Sequence, residues 1–201
     1  MMAPPVIEQI VSTPVTRIDD LAEGVLAAVE GRASARQTLR SPVIGIPVIG
    51  YRFIIDVTLH DGPQRRFDLQ RLTDFFIDDG SGQVGVGGTG AQLLLQHEYC
   101  LDDLTLGSAA GDLLRLLDEE NLPGWRRQSY EALTWHAYFL QPGEIAYACG
   151  EVNLLFDTES RPVGYRENAL RPTLRPPPGD AKLIVADMSR GKLLAALRAL
   201  A

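Results

Sequence analysis

The chain has 201 residues, 45% of them hydrophobic and 22% charged, and a formal net charge of −7. Such a chain can bury a sizeable core without staples, as one large domain or two small ones. The acidic balance argues against a general nucleic-acid binder, which needs a basic surface to neutralise phosphates. The pairs Arg65-Arg66 and Arg126-Arg127 read as solvated surface charges.

Cys100 and Cys149 are too few for a disulfide framework or a zinc cluster. Their apolar surroundings predict buried free thiols, with a single bridge as the alternative. Residues 1–10 lack the basic and apolar segments of a signal peptide, and no apolar run is long enough to span a bilayer. The expectation is a chain soluble as given, cytoplasmic or membrane-peripheral.

Residues 1–15, with Pro4, Pro5 and Pro14, read as an irregular N-terminal arm, and 16–201 as a single domain. A turn over 18–24 precedes a strand at 25–29, and Gly31 marks a bend, as strand glycines often do. Two prolines and two glycines make 41–50 a loop. It runs into a strand at 51–59, where Tyr51, Phe53, Ile55 and Val57 alternate, and a further strand is expected over 65–72.

The stretch 74–88 is the clearest local signal. Phe75, Phe76 and Ile77 form a strand, Asp78-Asp79-Gly80-Ser81-Gly82 a tight turn, and Gln83 to Val86 a second strand with Val84 and Val86 on one face. Residues 91–101 are ambiguous between helix and strand, as are 125–138. Ser108 is a candidate cap for a helix over 108–120 that shares Leu113, Leu116 and Leu117 on one face. A Pro142-Gly143 turn leads into a strand over 144–152, extending towards 156, and 157–164 is turn-rich. Three consecutive prolines make 172–180 a rigid loop. A short strand at 182–186 and a helix capped by Ser189, with Leu193, Leu194, Leu197 and Leu200 in one stripe, close the chain.

One pattern recurs. Leu21-x-x-Gly24-x-Leu26 ending at Gly31 is matched by Leu140-x-x-Gly143-x-Ile145 ending at Gly150. Both read as strands that enter from a glycine turn and bend at a second glycine, which a small barrel needs.

No chemical motif stands clear. Gly85-Val86-Gly87-Gly88-Thr89-Gly90 has the glycine spacing of a dinucleotide fingerprint, but the strand before it is a hairpin arm and Asp102 and Asp103 come too early. His60, His97 and His136 show no metal-ligand spacing, and Asp78-Asp79 and Asp102-Asp103 read as solvated turn acids. Ser41, Ser81 and Cys149 lack a nucleophile-elbow context. Glu144 and Glu151 fall on opposite faces of one strand. No catalytic, cofactor-binding or metal-binding residue is therefore assigned, and no cofactor is expected.

Three features in order carry a resemblance. They are Ser41-Pro42-Val43-Ile44-Gly45 leading to Tyr51-Arg52-Phe53, the Phe75 to Val84 hairpin, and the segment Leu140-Gln141-Pro142-Gly143 through Gly150-Glu151. Together they resemble the GIDE ("beside a membrane") domain of membrane-anchored RING-type ubiquitin ligases and prokaryotic relatives, over roughly 16–200. Two cysteines cannot build a RING, so ubiquitin transfer is not implied. The resemblance implies a β-rich module near a membrane that binds a partner.

The expected fold is α+β: a curved antiparallel sheet or OB-like partial barrel with inserted and C-terminal helices. The expected function is a non-catalytic protein-interaction or sensing module with an unidentified protein partner, beside a membrane through segments outside this chain. The alternatives are an enzyme with a polar site near Trp135, His136 and Glu144, and an OB-type single-stranded nucleic-acid binder, which would need a basic groove with exposed aromatics.

Overall fold

The structure, a computed structural model, describes residues 4–60, 64–96, 98, 103–120, 130–156 and 170–199. The expected turn at 157–164, the basic pair Arg126-Arg127, and His97, Cys100, Asp102 and Leu200 lie outside the described residues.

Five strands close into a ring: β1 (Leu26–Ser34), β6 (Phe75–Asp78), β7 (Gln83–Val86), β11 (Leu170–Arg175) and β10 (Ile145–Phe156), which pairs back onto β1. All pairings in the ring are antiparallel except β7 with β11. Alternation on each strand sends one set of side chains inward. Phe75, Ile77, Val84, Val86, Val29, Ala148, Val152 and Leu174 fill the interior. Each large apolar side chain fully buried there contributes about 1.5–3 kcal/mol. The α+β class and the OB-like barrel are as the sequence indicates, and here the barrel closes completely.

Closure depends on the recurring glycine pattern, because its two copies are the partnered strands β1 and β10. Their ladder is centred on Val29 opposite Ala148. Gly24 N–H donates to Val152 O at 2.8 Å, and Gly143 N–H donates to Ala33 O at 2.7 Å. Both turn glycines have positive φ, 74° and 91°. The second glycine of each copy marks a change of neighbour. From Arg32 onward β1 takes β6 as its second partner, and beyond Gly150 β10 passes from β12 (Leu183–Ala186) to β11. A Cβ on Gly31 would sit 2.2 Å from Asp78 O, and one on Gly150 2.8 Å from Arg175 O. Only glycine admits the crossing backbone at either point.

A second layer is inserted into the ring's connections. The long strand β4 (Gly50–Leu59) lies between β5 (Arg65–Leu72) and β9 (Tyr130–Leu140). One face of this sheet carries Tyr51, Phe53, Ile55, Val57, Ala137 and Phe139, covered by Leu113, Leu116 and Leu117 of α2 (Asp103–Glu119). The short pair β2 (Leu39–Arg40) and β3 (Pro47–Val48) flanks this cluster, while β8 (Ala91–Leu94) extends the main sheet parallel to β12.

The third cluster lies on the outer side of β10. Tyr147 and Cys149 are fully buried there beneath α1 (Pro4–Ser12) and α3 (Arg190–Ala199). The Gln9 amide pairs with the Lys182 backbone in both directions, donating to its O at 2.7 Å and accepting from its N at 3.2 Å. The Arg190 guanidinium donates to Ile10 O and Val11 O, while its own N–H donates to Glu30.

Three expectations are corrected. Residues 4–12 form a helix rather than an irregular arm: Pro4 and Pro5 occupy the first turn, where the missing N–H costs nothing, and Val6 and Ile10 share the buried face. Helix α2 begins at Asp103, so Ser108 lies inside it and does not cap it. The region read as a proline loop from 172 contains most of β11. Pro172 is tolerated because β7 pairs only with Thr173 and Leu174, leaving Pro172 beyond the end of that ladder. Of the ambiguous stretches, 91–94 form strand β8 and 130–138 belong to β9; residues 97, 99–101 and 125–129 lie outside the described residues. Ser189 does cap α3, accepting from Lys192 N at 3.4 Å, and Leu193 and Leu197 are buried.

Candidate functional site

The polar set suggested near Trp135, His136 and Glu144 is not brought together. Trp135 packs towards the apolar cluster, with its ring centroid 5.9 Å from that of Phe53. His136 points to the opposite face of the sheet, where its Nδ1 lies 2.5 Å from Glu98 Oε1. Glu144 sits in the turn before β10 and accepts from Gln141 N at 2.7 Å. Around His136 the sheet's polar face is organised as ion pairs: Arg66 grips both oxygens of Asp56, and Arg52 those of Asp68. The Arg66 hydrogen bonds hold Asp56 below the usual carboxylate range.

The candidate nucleophiles are equally dispersed. Ser41 is buried at 1% exposure, and Ser81 donates to Asp79 at 2.6 Å. Cys149 is a free, buried thiol 3.5 Å from Gln9 Nε2, as its apolar surroundings predict. Burial pushes the neighbouring Tyr147 hydroxyl strongly upward, which keeps it protonated. Among the described residues no group of three His, Cys, Asp or Glu side chains is placed to hold a metal ion.

The glycine-rich stretch has packing reasons. A Cβ on Gly88 would lie 2.4 Å from Leu72 O, and one on Gly85 2.9 Å from Thr173 Oγ1; Gly90 has φ 76°. Gly88 and Gly90 border an open cleft of about 270 Å³ between β5 and β8, lined chiefly by Leu39, Leu72, Ala91 and Leu93. Arg71 also lines it, with its guanidinium held by Glu120.

The hairpin turn is a clamp. Asp79 accepts from Ile18 N at 2.9 Å, Ser81 N at 2.8 Å, Ser81 Oγ at 2.6 Å and Gly82 N at 3.2 Å. Partial burial alone would raise its pKa, but these donors together hold the carboxyl below its ordinary value. Asp79 therefore ties the N-terminal segment to the barrel, while Asp78 accepts from Gly80 N within the turn.

The outer face of β6 and β7 carries a different arrangement. Phe76 is the outward residue between the buried Phe75 and Ile77, and its register partners are Ser34 on β1 and Gly85 on β7. Gly85 in turn faces Thr173 on β11. Two guanidinium carbons lie over the Phe76 ring, Arg171 at 4.8 Å and Arg36 at 5.2 Å from its centroid. Such contacts contribute about 0.5–2 kcal/mol each, depending on how far they are desolvated.

This cluster was missed in the sequence. Period-two alternation through Phe75, Phe76 and Ile77 would have placed an aromatic on the outward phase. Arg171, however, belongs to a strand hidden behind the proline signal.

The ring and its flanking helices define a β-rich α+β protein with a closed, five-stranded mixed barrel. No protein-family model, curated protein or solved structure matches the chain.

Proposed function

We propose that the protein is a non-catalytic interaction or sensing module that engages a protein partner through the outer face of its barrel. The observation that carries this reading is the Phe76 ring overlaid by Arg36 and Arg171. Aromatic and arginine side chains are the types most enriched at interface hot spots. A place beside a membrane is supported by the resemblance of 41–53, the hairpin and the β10 segment to the GIDE domain. Among the described residues no helix is long and apolar enough to cross a membrane.

Affinity capture from native membrane and cytosolic fractions tests the reading. A protein or lipid retained by the folded domain and released by a Phe76→Ala variant is the expected result. A folded domain that retains neither contradicts it.

A further inference from the structure

We infer that the far end of β10 is a self-association edge, which pairs antiparallel with the same edge of a second copy of this chain. The inference goes beyond the interaction-module reading and makes no use of the Phe76 face. β10 outruns its neighbour β1. Their register ends at Leu26 opposite Glu151. One further residue is tied in, with Val152 N–H donating to Val25 O at 3.0 Å and Gly24 N–H donating to Val152 O at 2.8 Å. From Asn153 to Phe156, β10 has only β11 beside it among the described residues. Alternate residues of a strand turn their backbone groups to the same side. Val152 turns its N–H and C=O towards β1, so Leu154 turns its own to that side too. There they meet no partner among the described residues.

The two edges of this ribbon differ. On the β11 side, Pro172 is in phase with Leu174, whose C=O accepts from Gly87 N on β7. The missing N–H of Pro172 therefore falls on the outer edge, and the proline closes that edge to a new strand. On the β10 side, Asn153-Leu154-Leu155-Phe156 has no proline, no charge and an unbroken register with β11. Prolines, charges and bulges are the devices that keep an edge single, and this one carries none of them. Val25 and Leu170, 51% and 49% exposed, flank the open edge: Val25 beside Val152, and Leu170 opposite Phe156.

A second copy meets these requirements through the same residues. Antiparallel pairing of one edge with itself has the two-fold symmetry that most dimers use. With the axis at Leu155, Leu154 of each copy exchanges backbone bonds with Phe156 of the other. Leu155 then faces Leu155 in the close, non-hydrogen-bonded position. The paired residues are uncharged, so like charges do not meet there, although each copy carries a net charge of −7. The product is a four-stranded sheet, β11 and β10 of one copy continued by β10 and β11 of the other. A two-stranded ribbon is marginal in water, and added strands stabilise it. An unrelated strand would satisfy Leu154 but would bring no second ribbon.

Sedimentation velocity of the full chain over a range of concentrations is the test. A reversible, concentration-dependent dimer is expected. L154P removes the edge N–H without breaking a hydrogen bond made among the described residues, and L155K sets two lysines face to face. Each is expected to raise the dimer Kd by about tenfold or more, and L155E to do the same. Mixing L155K with L155E is expected to restore association as a heterodimer. Thermal melting confirms that the variants fold, and the L155K and L155E pair carries the test if L154P does not. A wild type that stays monomeric at every soluble concentration overturns the inference. So does a dimer that folded L155K and L155E leave unchanged, or one that mixing them fails to restore. Each of these outcomes leaves capture of a partner through Phe76 to be decided separately, so the two readings fail independently.

Discussion

Val29 and Ala148 face each other at the midpoint of the β1–β10 ladder, and a local two-fold through this pair exchanges the two copies of the glycine pattern. Gly24 and Gly143 make equivalent hydrogen bonds, and Gly31 and Gly150 face equivalent crossing carbonyls. The paired glycines need not be equally sensitive to substitution. A Cβ on Gly24 or Gly143 meets nothing within 4 Å, so alanine there costs only the left-handed backbone strain, about 1 kcal/mol. At Gly31 it strikes the Asp78 carbonyl at 2.2 Å. We expect Gly31→Ala to cost about 3 kcal/mol or more, or to prevent folding, as severe overpacking does. Urea denaturation of the variants checks the order; equal losses for Gly24→Ala and Gly31→Ala would remove the crossing argument.

Asp79 joins the hairpin to the N-terminal segment, and its removal leaves the N–H groups of Ile18, Ser81 and Gly82 without that acceptor. Asp79→Ala should destabilise by about 1–3 kcal/mol. The pH dependence has a definite sign. A carboxyl whose native pKa is lowered stabilises the fold above its unfolded value of about 3.9, and that contribution disappears as pH falls through the native value. The stability gap between wild type and Asp79→Ala should be constant from neutral pH to about 5 and shrink below about 4. A gap that widens on acidification would refute the clamp.

The two adjacent phenylalanines of β6 make opposite predictions. Phe75 is 1% exposed inside the barrel, and Phe75→Ala should cost about 3–5 kcal/mol. Phe76 is half-buried on the outer face, and Phe76→Ala should cost about 0.5–2 kcal/mol through its arginine contacts. Chemical denaturation of the pair reports which residue is core; a reversed order would mean the hairpin is out of register.

Helix α1 is held to the barrel by Gln9, whose amide serves both backbone groups of Lys182 and sits over Cys149. In a Cys100→Ser background, Gln9→Ala should speed modification of Cys149 by a thiol reagent about five- to hundredfold, matching about 1–3 kcal/mol of lost local stability. An unchanged rate would show that Gln9 does not limit access.

Much of the fold was legible because alternation and turn chemistry agree in β4, β6, β7 and β10. The glycine recurrence alone points to a curved barrel, since close strand crossings at Gly31 and Gly150 are what closure requires. What was hidden lay where local signals and tertiary context conflict. Pro4 and Pro5 suggest an irregular arm, yet a helix's first turn accepts them. Pro172 suggests a loop, yet it falls where a ladder ends. The candidate face was harder still, because Arg36 and Arg171 are distant in sequence and meet only when β1, β6, β7 and β11 are placed side by side.

The most direct test compares wild type, Phe76→Ala and R36E/R171E in one affinity-capture experiment from membrane and cytosolic fractions, with melting curves confirming that each is folded. The account predicts a partner retained by wild type and lost from both variants. A partner retained equally by all three, or no partner retained by folded wild type, would contradict it.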